Sequence, residues 1–373
     1  MKTNIYSQID YGFGSLLNFS LFFYVKYLYG INNAGYFAII LSISAILETL
    51  QQGFYERPTY LKIPTNFWDF NFNIFHIYSI AGLFCLIVDV FIWPNRFLPS
   101  LLFSTSLVLI RNIKITDYIN NNVQSSAKRS IVIYISNFIF ILIFHFFKID
   151  LVFYELLFWV SVVNYIIIIR NKEKIFAKRI SGKNKNFYLP ITSILILVKN
   201  RLPLWALLPF GLGLIGIYET FRNLIEIFLL PSKGYLNILL KDIEKNNNKT
   251  TFFRGIYFGL ITSIVAIFSF KYIFLLDLFN HKELNNWSTL VSLVFIILSF
   301  WITEVTSMIF QKIGKLKFEL KRRFIALIIF VLINLTLFNF INFKIFLFLV
   351  SFMYFIEIIP LFTKKYLNSI LDS

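Results

Sequence analysis

The chain is poor in the residues from which most active sites are built. Its one cysteine, Cys85, excludes an internal disulfide, and His76, His145 and His281 stand apart without the spacing of metal ligands. No G-x4-GK[ST] phosphate loop occurs, so no nucleotide-driven step is expected, and no cofactor or metal either. Charge is scarce at 15%, and the 19 acidic residues are about half as many as the 36 Lys and Arg. What fills the chain instead is apolar: 58% of the 373 residues are hydrophobic, 47 of them Phe, and mean hydropathy is +0.71. A soluble domain cannot hide that much apolar surface, so lipid must be the solvent for much of it. Phe, Ile, Lys and Asn all have A/T-rich codons, and their abundance reads as the bias of a low-GC bacterial genome. The opening MKTNIYSQID runs into a long apolar segment without a small-residue cleavage site and is read as mature sequence.

A helix needs ~20 apolar residues to cross the hydrocarbon, and an open strand cannot cross it because lipid satisfies no backbone polar groups. The apolar runs predict an all-α integral membrane protein of about twelve spans. Six lie near 11–29, 34–52, 73–93, 97–110, 131–147 and 151–169, and six near 189–209, 213–230, 255–276, 288–308, 324–339 and 345–363. With both termini cytoplasmic, the inner segments hold 27 Lys and Arg, against 4 in the outer loops. That asymmetry satisfies the positive-inside rule. The net charge of +17 is therefore a topology signal that also attracts anionic lipid, and no nucleic acid is required.

The most basic loop, Arg170 to Phe187, falls near mid-chain and predicts two six-helix lobes, 1–180 and 181–373. An offset of 181 residues places Gly30 on Gly211, Gly35 on Gly216 and Gly53 on Gly234. The first two pairs give the same Gly-x4-Gly at the outer turn of a helical hairpin, where glycine permits positive φ and close helix approach. Same-orientation repeats of this kind are expected to be related by a pseudo-two-fold along the membrane normal, with the substrate between them.

The opening hairpin carries a resemblance. Gln8-Ile9-Asp10, Ser15-Leu16-Leu17-Asn18-Phe19, and Gly30 with Gly35-Tyr36-Phe37-Ala38 resemble the start of bacterial Wzx-type polysaccharide flippases. These O-antigen and capsule exporters belong to the multidrug/oligosaccharidyl-lipid/polysaccharide exporter superfamily. The motif covers the first ~55 residues, and the twelve-span layout extends the likeness in kind. The family often has Asp-Gln adjacent near the start, whereas here Ile9 separates Gln8 from Asp10. The resemblance implies a non-enzymatic transporter in the bacterial plasma membrane. It would move undecaprenyl-pyrophosphate-linked oligosaccharide outward, alongside glycosyltransferases and a polysaccharide polymerase.

Ionisable residues inside spans mark where such a substrate could bind, since each costs ~2.5–3.5 kcal/mol at a helix centre. Lys199-Asn200-Arg201, followed by Pro203, lies in the 189–209 span. These cations could hold pyrophosphate, Arg by two donors and Lys as a point charge, or they could mark a helix end at the headgroups. The 181-residue offset maps Asn18 onto Lys199, so the two are predicted to face each other. Glu219, Arg222 and Glu226 share one helix face. Arg222 could be a third substrate cation and a Glu a coupling-ion site, or the three could simply neutralise one another. Lys26 and Glu48 could form a cavity pair or snorkel separately. Asp89, Lys271, Asp277, Glu304 and Glu357 sit nearer span ends and read as interfacial. Trp68, Trp93, Trp287 and Trp301 read as an aromatic belt.

Two other functions fit the composition. A membrane polymerase of the same pathway would need a large external loop, but the longest here, Asp277 to Trp287, is about eleven residues. A multidrug exporter would be expected to have an acidic, aromatic cavity rather than one with Lys199 and Arg201.

Overall fold

The structure, a computed structural model, describes residues 2–51, 74–92, 94–119, 123–147, 152–171, 188–244, 248–273, 283–312, 316–337 and 342–363. Among these residues no strand occurs. Eleven α-helices lie among the described residues: α1 Lys2–Gln51, α2 Ile74–Phe91, α3 Phe97–Ile119, α4 Val123–Phe146, α5 Phe153–Arg170, α6 Tyr188–Ala206, α7 Leu212–Glu244, α8 Asn248–Ile273, α9 Trp287–Lys312, α10 Leu316–Leu337 and α11 Phe343–Ile358. They gather into two compact units, Met1–Leu197 and Val198–Ser373, so the division falls within α6.

The protein is a multi-pass membrane protein. Among the described residues, six helical stretches are long and apolar enough to cross a bilayer: Leu16–Thr49, Gln124–Phe146, Phe153–Arg170, Lys249–Phe270, Trp287–Ser307 and Phe343–Phe362. The first, at 34 residues, would be ~50 Å of straight helix against ~30 Å of hydrocarbon. Gly30 resolves the mismatch: its φ of 82° and ψ of 173° interrupt α1. The other expected spans also fall on helices. Four of those helices, α3, α6, α7 and α10, carry the ionisable residues that lower their hydropathy, among them Arg111, Lys199, Arg222 and Arg323.

In the first unit α3 is the spine, packing on α1, α2, α4 and α5. Its buried face is Ser100, Ser104, Thr105 and Ser106. These hydroxyls donate to carbonyls one turn back, Ser104 to Ser100 at 2.8 Å and Thr105 to Leu101 at 2.6 Å. Small, self-satisfied residues let the neighbouring helices approach closely. The same face is bonded sideways. Tyr36 Oη lies 3.0 Å from Ser100 Oγ, Tyr165 Oη 2.7 Å from Thr105 Oγ1, and Asn164 donates to Ser106 at 3.1 Å while accepting from Asn137 at 3.0 Å.

The second unit has an analogous centre. Here α9 packs on α7, α8, α10 and α11. Gly255 and Gly259 of α8 meet it closely: a Cβ on Gly255 would lie 2.6 Å from Val305 Cγ2, and one on Gly259 3.1 Å from Trp301 Cβ. Trp301 is fully buried beneath Phe258, ring centroids 5.8 Å apart, and is not part of an interfacial belt. Trp287 is 78% exposed, as a belt residue would be; Trp68 and Trp93 lie outside the described residues. Gly211, with φ 99° and ψ 159°, separates a short 3-10 turn, Leu208–Phe210, from α7. Gly30 and Gly211 are the two positive-φ glycines among the described residues, and they are the pair that the 181-residue offset aligns. Gly53, of the third aligned pair, lies outside them.

Candidate functional site

The second unit buries a cluster of charge. It begins at Lys199, whose Nζ donates to Glu357 Oε2 at 2.7 Å and lies 4.5 Å from the centre of the Tyr354 ring. Tyr354 in turn donates to Asn200 Oδ1 at 3.0 Å, fixing α6 against α11 by two side chains one residue apart. The Lys199 side chain is 7% exposed and that of Glu357 is sealed. Pro203 breaks the hydrogen-bond ladder of the same helix one turn later.

From Glu357 the cluster continues into α10. Arg322 Nη1 lies 3.5 Å and Arg323 Nε 3.4 Å from Glu357 Oε1, and Arg322 also donates to the Glu357 carbonyl at 3.0 Å. Both guanidiniums turn back on Glu319, Arg322 Nη2 at 2.7 Å and Arg323 Nε at 2.7 Å. The i, i+3 and i, i+4 spacings put all three on one face of α10. Glu304 of α9 acts electrostatically on Lys199 and Arg323. Lys199, Arg322 and Arg323 are thus balanced by Glu304, Glu319 and Glu357, and the cluster is charge-compensated rather than basic. Breaking such a pair strands the partner charge in a low-dielectric interior.

A second pair lies on α7. Arg222 grips Glu219 through two donors, Nε at 2.8 Å and Nη2. Glu219 is fully buried, and Glu226 adds to the field at Arg222. The geometry is that of a self-neutralising set. Arg201 is half-buried, and its charge is felt at Tyr218.

In the first unit the predicted residues fall apart. Glu48 pairs with Arg111 at 2.5 Å, side chains 26% and 31% exposed, and not with Lys26. Lys26 lies over the Phe23 ring at 5.7 Å. Asn18 is half-buried, with its Oδ1 shielded and without a hydrogen bond among the described residues. The charge centre of this unit is elsewhere. Asp10, 3% exposed, pairs with Lys114 at 2.8 Å and accepts from Ser126 at 3.0 Å and from Ser130. Arg129 pairs with Asp117 at 2.6 Å close by in sequence.

Glu319, Arg322 and Arg323 were not among the residues singled out in the sequence, and Glu357 was placed at an interface. Glu357 reads as interfacial from its place near a span end, yet it is the hub of the cluster. Arg322 and Arg323 count toward an inner loop, but α10 begins at Leu316 and buries them. The signal was present: Glu319-x-x-Arg322-Arg323 is a helical face running directly into an apolar stretch. Among the interfacial candidates, Asp89 accepts from the Arg96 amide at 2.6 Å, and Asp277 lies outside the described residues. No group of three or more His, Cys, Asp or Glu suited to a metal ion occurs among the described residues.

No protein-family model matches the chain, and neither a curated protein nor a solved structure does.

Proposed function

We propose that this protein is a flippase of the bacterial plasma membrane, with both termini cytoplasmic. It would carry undecaprenyl-pyrophosphate-linked oligosaccharide outward by alternating access of two six-helix lobes. The observation that supports this reading best is Lys199, a buried ammonium in a membrane protein, held on the carboxylate of Glu357, which Arg322 and Arg323 also approach. Buried ion pairs are expensive and add little to stability, so a cluster of this size is expected to serve a function. Pyrophosphate offers the same ligand chemistry as Glu357, with more oxygens and more charge. Substrate would take Glu357's place on Lys199, and the freed carboxylate would accept a proton or turn to another cation. The chain acts as a transporter and not as an enzyme in this reading, with lipid and the pathway's glycosyltransferases and polymerase as its partners.

The test is complementation. In a flippase-null strain carrying the cognate sugar pathway, the chain should restore surface polysaccharide. Lys199→Glu with Arg201→Glu should abolish it while the protein remains in the membrane. Export of cationic dyes that survives the double change would point instead to a drug exporter.

A further inference from the structure

The first unit contains an arrangement that the flippase reading does not use. Asp10 of α1 points its carboxylate at α4, where Ser126 and Ser130, one turn apart, both donate to it. Two carboxylate oxygens and two hydroxyl oxygens are thereby brought to one place, all on residues at most 4% exposed. Hydroxyls that donate to a carboxylate keep lone pairs for a cation, and all-oxygen surroundings with one negative charge suit hard cations. The cation present is Lys114 Nζ, 2.8 Å from Asp10 Oδ1, delivered from α3 on a side chain 19% exposed.

Among the described residues, the neighbouring arginines are engaged by other carboxylates. Arg111 pairs with Glu48 and Arg129 with Asp117. Without Lys114, Asp10 would be left as a buried anion, a state that demands a counter-ion or a proton. Lys114 is also the most solvent-reaching member of the group, so the place it vacates would be open to ions from water. We propose that Asp10, Ser126 and Ser130 form a monovalent-cation site of which Lys114 is the built-in occupant, a tethered ammonium standing where sodium would otherwise bind. The wild-type first unit is then independent of sodium at this position. The inference does not depend on what the protein transports.

The test is thermal unfolding of the full chain in detergent, in sodium, potassium or choline chloride at one ionic strength. Wild type should melt alike in all three. Lys114→Ala should melt lower in choline and recover by about 5 °C in saturating sodium, the scale expected of a ligand well above its Kd. Lys114→Met, which keeps the apolar stem, guards against loss of packing and should respond in the same way. Adding Asp10→Asn to either variant should erase the sodium response. The proposal is overturned if Lys114→Ala and Lys114→Met show no sodium-specific recovery, or if wild type responds as they do. It is overturned equally if neither variant can be isolated folded even in sodium.

Discussion

Lys199 and Glu357 meet at 2.7 Å from opposite ends of the second unit's sequence, and both side chains are buried. The pair cannot be treated as a surface salt bridge. Glu357→Ala removes the carboxylate that Lys199 donates to and leaves Arg322 and Arg323 with Glu319, and should destabilise by about 3–5 kcal/mol. Glu48→Ala breaks a pair whose side chains are 26% and 31% exposed, and should cost under about 1 kcal/mol. Melting curves of the two variants in one detergent compare them directly; equal losses would mean that the Glu357 cluster is not sealed.

A double-mutant cycle separates charge from packing. Lys199→Met and Glu357→Gln should each destabilise, and the double variant should recover part of the loss, because it removes both charges and keeps the volume. Strict additivity would contradict the contact.

At α8 and α9 the constraint is steric. Gly255→Ala would bring its new methyl within 2.6 Å of Val305, and overpacking of this kind costs about 1–3 kcal/mol. Val305→Ala in the same chain should restore most of it. Gly259→Ala, 3.1 Å from Trp301 Cβ, should cost less. Gly82→Ala meets nothing within 4 Å and should be neutral or stabilise by up to about 1 kcal/mol.

Gly30 and Gly211 test the backbone alone. No atom lies within 4 Å of a Cβ at either position, yet φ is +82° and +99°. With ψ of 173° and 159° both lie in a backbone region essentially reserved for glycine, so Ala at either, and Asn at Gly30, should each cost about 1–3 kcal/mol through conformation. If both variants at Gly30 melt like wild type, the break does not depend on φ.

The polar chain of the first unit predicts a smaller loss. Asn164→Leu removes the acceptor of Asn137 and the donor to Ser106 together, and should cost about 1–2 kcal/mol. The same change at Asn33, half-buried, removes its bond to the Tyr29 carbonyl and its long one, 3.3 Å, from Arg96, and should cost no more.

Helical spans were legible in the sequence because lipid imposes one simple demand, a long apolar run. The glycine breaks were legible because positive φ has few tenants, so spacing alone picked out Gly30 and Gly211. Which charges are buried was not legible. Hydropathy treats Arg322 as a loop residue and Glu357 as a span end, because it scores each residue by its own solvation and not by its partners. Both are buried because partners 158 and 35 residues away in sequence complete them, and those distances are set by packing. Of the two readings open for Glu48 and Lys26, the pair is not the one found, because Arg111 of α3 lies where Glu48 points.

The Lys199–Glu357 contact also sets an order of events. Chains emerge from the ribosome N-terminus first, so α6 is made 158 residues before its counter-ion. Through that interval Lys199 must be carried by water, by headgroups or by an insertion partner, because α11 does not yet exist. The second unit therefore cannot mature helix by helix. It must be held open until the last helix arrives, and a ribosome stalled before residue 357 should leave a species that quality-control proteases degrade.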